Sequence, residues 1–236
     1  YWGVVGPTNR WKALDTSSAT QTKADPADEP AIQYTIKPGR IISSLGVLNI
    51  TEGKVLTVTM DDPSSGEVYR REIALGQPVA PHWHSWFFTS RKSIHQFILY
   101  DLPSFPNASV TMTITGTGAL AIGSLIVGTD RAFGIAALAD VKLGITDYSR
   151  KEANAFGEVT FVERGYANRA SFTLLINANE VDSIQRFLAE VRATPCLWVV
   201  GDRYDALDIF GFYKTFEITL TYPEYAECSL DIEGLV

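Results

Sequence analysis

The sequence predicts a mainly β protein: an antiparallel β-sandwich or jelly roll followed by a smaller β-rich domain with one amphipathic helix. Three observations predict it. Apolar and polar residues alternate in Ile32-Gln33-Tyr34-Thr35-Ile36 and again from Lys54 to Met60, the period of a half-buried strand. Turn-forming clusters recur every ~8–12 residues through the first half, as in β-sandwiches. Only one segment has helical periodicity, with Val181, Ile184, Phe187, Leu188 and Val191 on one face.

In chain order, residues 1–31 read as an irregular lead-in, rich in proline and acids near Pro26 and Pro30. Strands are then expected at Ile32–Ile36, Ile41–Leu48, Lys54–Met60 and Glu67–Ala74, with Lys37-Pro38-Gly39-Arg40 and Asp61–Gly66 as turns. An apolar run at His95–Leu99 and a proline-paced loop at Asp101–Asn107 follow. Ser109–Thr115 and Ala119–Val127 then read as two strands around Gly116-Thr117-Gly118. The texture changes after Gly128, which divides the chain into a sandwich over 1–128 and a β-rich domain over 129–236. In the second part, Gly157–Arg164 and Ala170–Asn177 resemble a hairpin, and Asp147–Glu152 reads as a polar break. The helix is expected over about 179–193, with Asn179 as its N-cap, acids in its first turn and Pro195 beyond its end. Further strands are expected at Cys196–Val200, Gly211–Leu220 and Ser229–Ile232.

Composition narrows the function. Charged residues make up 20% and apolar residues 46% of the 236-residue chain, an ordinary balance for a packed globular protein, so disorder is not expected. The formal charge of -7 and the shortness of the basic stretches disfavour nucleic acid and anionic membranes as partners. No apolar run approaches the ~20 residues of a membrane span, so no membrane insertion is expected. Cys196 and Cys228 form no disulfide framework and have no metal-ligand spacing. They read as reduced, buried thiols, with a bridge between strands left open.

Catalytic machinery is not legible. The three histidines are His82, His84 and His95. The first two share a strand face but have no third ligand at metal spacing, and a polar strand face is the better reading. No nucleophile elbow and no phosphate-cradling glycine loop is present. Asp202, Asp205 and Asp208 lack the order of a calcium loop and read as a solvated turn. No catalytic residue, metal or cofactor is therefore assigned. Aromatics are the richer signal. Trp2, Trp11, Trp83 and Trp86 all lie in the first part, where tryptophans on loops either stack on sugar rings or plug the sandwich and its interfaces. Leu102, Phe105, Tyr204 and Leu207 sit on two polar loops and read as candidate contact residues between subunits.

Two stretches resemble a known family. Pro7-Thr8-Asn9-Arg10-Trp11-Lys12-Ala13-Leu14-Asp15, together with a sandwich ending in Ile122-Gly123-Ser124-Leu125-Ile126-Val127-Gly128, resembles a galactose-binding-like jelly roll. The layout of the second part includes Tyr148-Ser149-Arg150-Lys151-Glu152, Arg164-Gly165-Tyr166, the helix, Gly211-Phe212-Tyr213-Lys214 and a closing Ser229–Leu235. It is similar to structural proteins of the tail tip and baseplate of long-tailed bacteriophages. This resemblance is one of texture across most of the chain. It implies a virion tail component that works by assembly, as a homo-oligomer and with other tail proteins, together with a module for a host surface glycan. Galactose-binding-like domains often carry a structural calcium, for which no ligand can be placed here. The rival expectation is a monomeric, secreted carbohydrate-binding module or accessory domain of a glycan-active protein. A hydrolase with a carboxylate pair ranks third.

Overall fold

A computed structural model describes residues 8–15, 20–25, 29–76, 94–136, 141–153, 159–200, 207–220 and 222–235. The protein is mainly β, its sheets are antiparallel, and among the described residues it has one α-helix. The chain divides into two units, Tyr1–Asp130 and Arg131–Val236, two residues beyond the texture change at Gly128.

The first unit contains β1 (Thr22–Lys23), β2 (Ala31–Ile36), β3 (Ser44–Leu48), β4 (Thr51–Asp62), β5 (Gly66–Ala74), β6 (Phe97–Leu99), β7 (Ser109–Ile122) and β8 (Ser124–Gly128). β7 is the spine of the larger sheet. It pairs with β4 on one side and with β2 and β1 on the other, and β5 extends the sheet beyond β4. A second sheet has the order β6–β3–β8. Alternation along β2, β4 and β7 sends Ile32, Tyr34, Leu56, Val58, Met60, Val110, Met112 and Ile114 inward. They join Leu45, Val47, Leu99 and Leu125 of the second sheet in one apolar cluster, which makes this unit a β-sandwich.

Sequence and structure differ at β7. The two strands expected around Gly116-Thr117-Gly118 are one continuous strand, and the break falls at Gly123. Gly118 takes a positive φ of 55°, and Gly116 serves close approach. A Cβ on Gly116 would lie 2.3 Å from the Glu52 carbonyl oxygen, at the point where the β4–β7 register shifts. The expected turn at Asp61–Gly66 is present. The Asp62 carboxylate accepts from the backbone amides of Ser64 at 3.1 Å and Ser65 at 3.2 Å.

The second unit contains β9 (Ile135–Ala136), β10 (Lys142–Asp147), β11 (Arg150–Ala153), β12 (Val159–Val162), β13 (Tyr166–Asn177), α1 (Val181–Glu190), β14 (Cys196–Trp198), β15 (Ile209–Thr219) and β16 (Tyr225–Gly234). Its main sheet runs β10–β13–β16–β15–β14, with β9 beside the far end of β13. The hairpin expected between Gly157–Arg164 and Ala170–Asn177 is not formed. β12 pairs with β11, and β13 pairs with β10 and β16. The polar break expected over Asp147–Glu152 is partly strand, because Arg150–Ala153 forms β11.

One face of the main sheet is apolar. Ala170, Phe172, Leu174 and Ile176 of β13 stand beside Ile232, Leu230, Cys228 and Ala226 of β16, and Ile184 and Leu188 of α1 cover them. Two sets of contacts fasten the helix. The Tyr213 hydroxyl donates to the Leu188 carbonyl at 2.7 Å. The Phe187 ring meets Phe133 edge-on at 6.0 Å and lies 4.6 Å from the Arg131 guanidinium. The helix is shorter than the expected 179–193. A 3-10 turn, Ala178–Glu180, precedes it, and the cap is Asn177, whose side chain accepts from the Asn179 amide. Beyond the helix, Ala193 takes a positive φ of 56°.

Candidate functional site

The first candidate surface is the turn that presents Trp11. Residues Asn9–Leu14 form a 3-10 turn whose only buried residue is Ala13. Its backbone is pinned to the sandwich. Asn9 exchanges two hydrogen bonds with the Lys23 backbone, at 2.8 and 3.0 Å. The Thr22 hydroxyl donates to the Asn9 carbonyl and accepts from the Ala13 amide, at 2.7 and 2.9 Å. The buried Tyr34 hydroxyl donates to the Arg10 carbonyl at 2.6 Å. On this anchored turn the Trp11 ring is 58% exposed. A fixed, open indole face is a platform for an apolar ligand face or a protein partner.

Trp2, Trp83, Trp86 and Tyr204 lie outside the described residues, as do His82, His84, Asp202 and Asp205. Two of the other expected contact residues do not reach the surface. Leu102 is 5% exposed and Leu207 3% exposed, so both are corrected from contact residues to buried ones. The reason for Leu102 is local: its amide donates to the Ser43 carbonyl, and its side chain joins the sandwich core. Phe105 is half-buried against the same core. Apolar residues on a polar loop were read as outward-facing, but the proline-paced loop folds them back over the sandwich.

His95 has a structural setting. Its Nδ1 lies 3.1 Å from the Ile50 carbonyl, and its own carbonyl accepts from the Ile50 amide at 2.8 Å. Cys196 and Cys228 are free thiols, half-buried and fully buried, and burial pushes both thiols up from the usual thiol range. Cys196 stands in the cross-strand row of Gly211 and Gly234, six residues along β16 from Cys228. At ~3.4 Å per residue that separation is on the order of 20 Å, too far for a bridge. Among the described residues no group of three His, Cys, Asp or Glu side chains is placed to hold a metal ion. No helix among them is long and apolar enough to cross a membrane.

The open face of the second sheet is polar where β13, β16 and β15 run side by side near Asp231. At its centre the Asp231 carboxylate is held below the usual carboxylate range. The Ser171 hydroxyl contributes most, followed by the Thr215 hydroxyl at 2.9 Å, with attraction from Arg169 and Lys142. Beside it Glu233 accepts from the Tyr148 hydroxyl at 3.1 Å and from Lys214 at 3.3 Å. The bond to Glu233 pushes the Tyr148 hydroxyl up from its ordinary value. Cross-strand pairing of this kind satisfies charge on a solvated sheet face.

The second candidate surface was not legible in the sequence. Leu143, Ile145, Tyr148, Val159, Phe161, Val162 and Tyr166 are each 46–70% exposed, and all lie on or beside β10 to β13. β12 pairs only with β11, and all four of its residues are exposed. Leu143 and Ile145 stand opposite Ala170 and Asn168, on the same face as the core but not covered by any of the described residues.

Comparison with known protein families and with curated proteins finds no match for this chain.

Proposed function

We propose that the protein is a non-enzymatic structural component that works by subunit assembly, of the kind that builds a phage tail tip or baseplate. One observation carries the assembly reading. The second unit leaves a concentrated set of large apolar side chains open on its β10–β13 region, where a monomer would normally bury or charge them. The tail setting comes from the sequence resemblance alone. The test has two parts. Sedimentation of the full chain at rising concentration yields oligomers, and an antibody to the chain decorates one end of purified tailed particles. A chain that stays monomeric and labels no particle overturns the reading.

A second reading has its own support. The exposed Trp11, on a turn held by Thr22, Lys23 and Tyr34, is a preformed stacking platform for a sugar ring. Under this reading the chain binds a glycan as a monomer, and Trp11→Ala abolishes the signal on a glycan array without changing the melting temperature.

A further inference from the structure

Within the assembly reading, we propose that copies of this chain join head to tail, the β10–β13 arm of one docking on the outer sheet face of the next around Leu175 and Tyr225. The arm is a long antiparallel ribbon. β10 pairs with β13 from Lys142↔Ser171 to Asp147↔Tyr166, and β11 pairs with β12 from Arg150↔Val162 to Ala153↔Val159. Among the arm's described side chains only Ala167 and Ala170 are buried, and a ribbon that buries so little is marginal in water by itself. With Phe161 70% and Ile145 64% exposed, this one needs a cover.

The receiving patch lies at the other end of the same sheet, on the opposite face. Ile135, Leu175, Glu227 and Thr219 stand in one cross-strand row, so their side chains share the face away from α1. Tyr225 occupies a neighbouring position on that face, opposite Asn177. The adjoining turn carries Leu220, 73% exposed, and Tyr222, 62% exposed.

Charge complementarity selects a second copy as the occupant. Residues 142–171 carry five basic and four acidic residues, whereas the rest of the second unit carries five basic and twelve acidic. Locally, Arg164 stands beside the apolar residues of the arm, and Glu217, Glu224 and Glu227 stand among those of the patch. The arm is thus apolar with a basic excess, and the patch is apolar with an acidic rim. Because the two surfaces do not overlap, each copy can give one and receive one. The contact is heterologous, and it closes into a ring or continues as a filament.

The test uses full-length chains carrying Phe161→Ser on the arm or Tyr222→Ser on the patch. Wild-type chain sediments as oligomers. Each variant alone is monomeric, with an association constant lowered about tenfold or more. An equimolar mixture of the two gives dimers and nothing larger, since one intact arm meets one intact patch. The charge pair reads the same contact: Arg164→Glu and Glu224→Arg each weaken association, and their combination restores it. Melting curves check that each variant is folded, and Val159→Ser replaces Phe161→Ser if the latter is not. A monomeric wild type overturns both this proposal and the assembly reading. Oligomers untouched by the patch variants, or a mixture that stays monomeric, overturn the head-to-tail contact and leave the assembly reading standing.

Discussion

The two units solve the same problem differently. The sandwich faces two sheets toward each other, and among its described residues only Trp11, Leu14, Ile41, Ile94 and Tyr100 are large apolar side chains left exposed. The second unit covers one sheet with a ten-residue helix and leaves twelve such side chains open. A helix of ten residues is about 15 Å long. It caps Phe172 to Ile176, whereas Leu143 and Ile145 stand opposite Ala170 and Asn168, two and four residues back along β13 from Phe172, and remain exposed. The first unit buries its apolar faces between its own strands, and the second leaves part of its apolar surface open.

The largest expected effects test whether the cores are as separate from the arm as this comparison requires. Ile114→Ala in the sandwich and Leu188→Ala in the helix each remove a fully buried side chain. Each lowers unfolding free energy by about 2–5 kcal/mol in urea titrations. Leu143→Ala, at a site 51% exposed, stays within about 0.5 kcal/mol. A Leu143→Ala cost equal to that of Leu188→Ala would mean that the arm is packed within its own chain.

Next come two glycines, one in each unit. A Cβ on Gly116 would lie 2.3 Å from the Glu52 oxygen, and one on Gly211 would lie 2.1 Å from the Glu233 oxygen. Alanine at either forces neighbouring strands apart and costs about 1–3 kcal/mol by overpacking. Melting temperatures unchanged from wild type would show that the strands yield without cost.

These two glycines mark what the sequence left unread. The period-two pattern located β2 and β4 to within a few residues, because their inward positions alternate cleanly with polar ones. The helical period found the helix's buried face, because Ile184 and Leu188 fall at helical spacing, though not its ends. Partner choice is another matter. Gly116-Thr117-Gly118 has the composition of a turn, and only the opposing β4 backbone makes it strand interior. Likewise Val159–Val162 pairs backward with Arg150–Ala153, a choice set by cross-strand register, which local composition does not encode. The candidate surfaces divide the same way. Trp11 could be read as a stacking aromatic or as a plug, and both its exposure and the burial of Leu102 depend on where their loops fold.

A smaller effect compares how each unit ties down its one short accessory element. In the sandwich the Tyr34 hydroxyl holds the Trp11 turn, and in the second unit the Tyr213 hydroxyl holds α1. Phenylalanine at either position removes one hydrogen bond and costs about 0.5–1.5 kcal/mol. Tyr34→Phe also loosens the Trp11 ring, read as greater quenching of its fluorescence by iodide, while Tyr213→Phe leaves that quenching unchanged.

The smallest effect concerns acid, and it belongs to the open sheet face that has no counterpart inside the closed sandwich. Hydroxyls of Ser171 and Thr215, helped by Arg169 and Lys142, hold the Asp231 carboxyl below its ordinary range, against the opposing effect of partial burial. The folded state therefore binds a proton there less readily than the unfolded chain does. Its contribution to stability is complete above the unfolded value near ~3.9 and is lost as pH falls through the lower folded value. Asp231→Asn should accordingly be less stable than wild type at pH 7, with the gap narrowing as the pH drops below about 4. Salt should shrink only the share owed to Arg169 and Lys142, since exposed pairs are screened while hydroxyl bonds are not. A gap that is constant from pH 7 to pH 3, or that widens toward acid, would show that Asp231 draws no net stabilisation from this network. The polar face would then be a solvated surface like any other, and the contrast between the two units would reduce to their apolar residues.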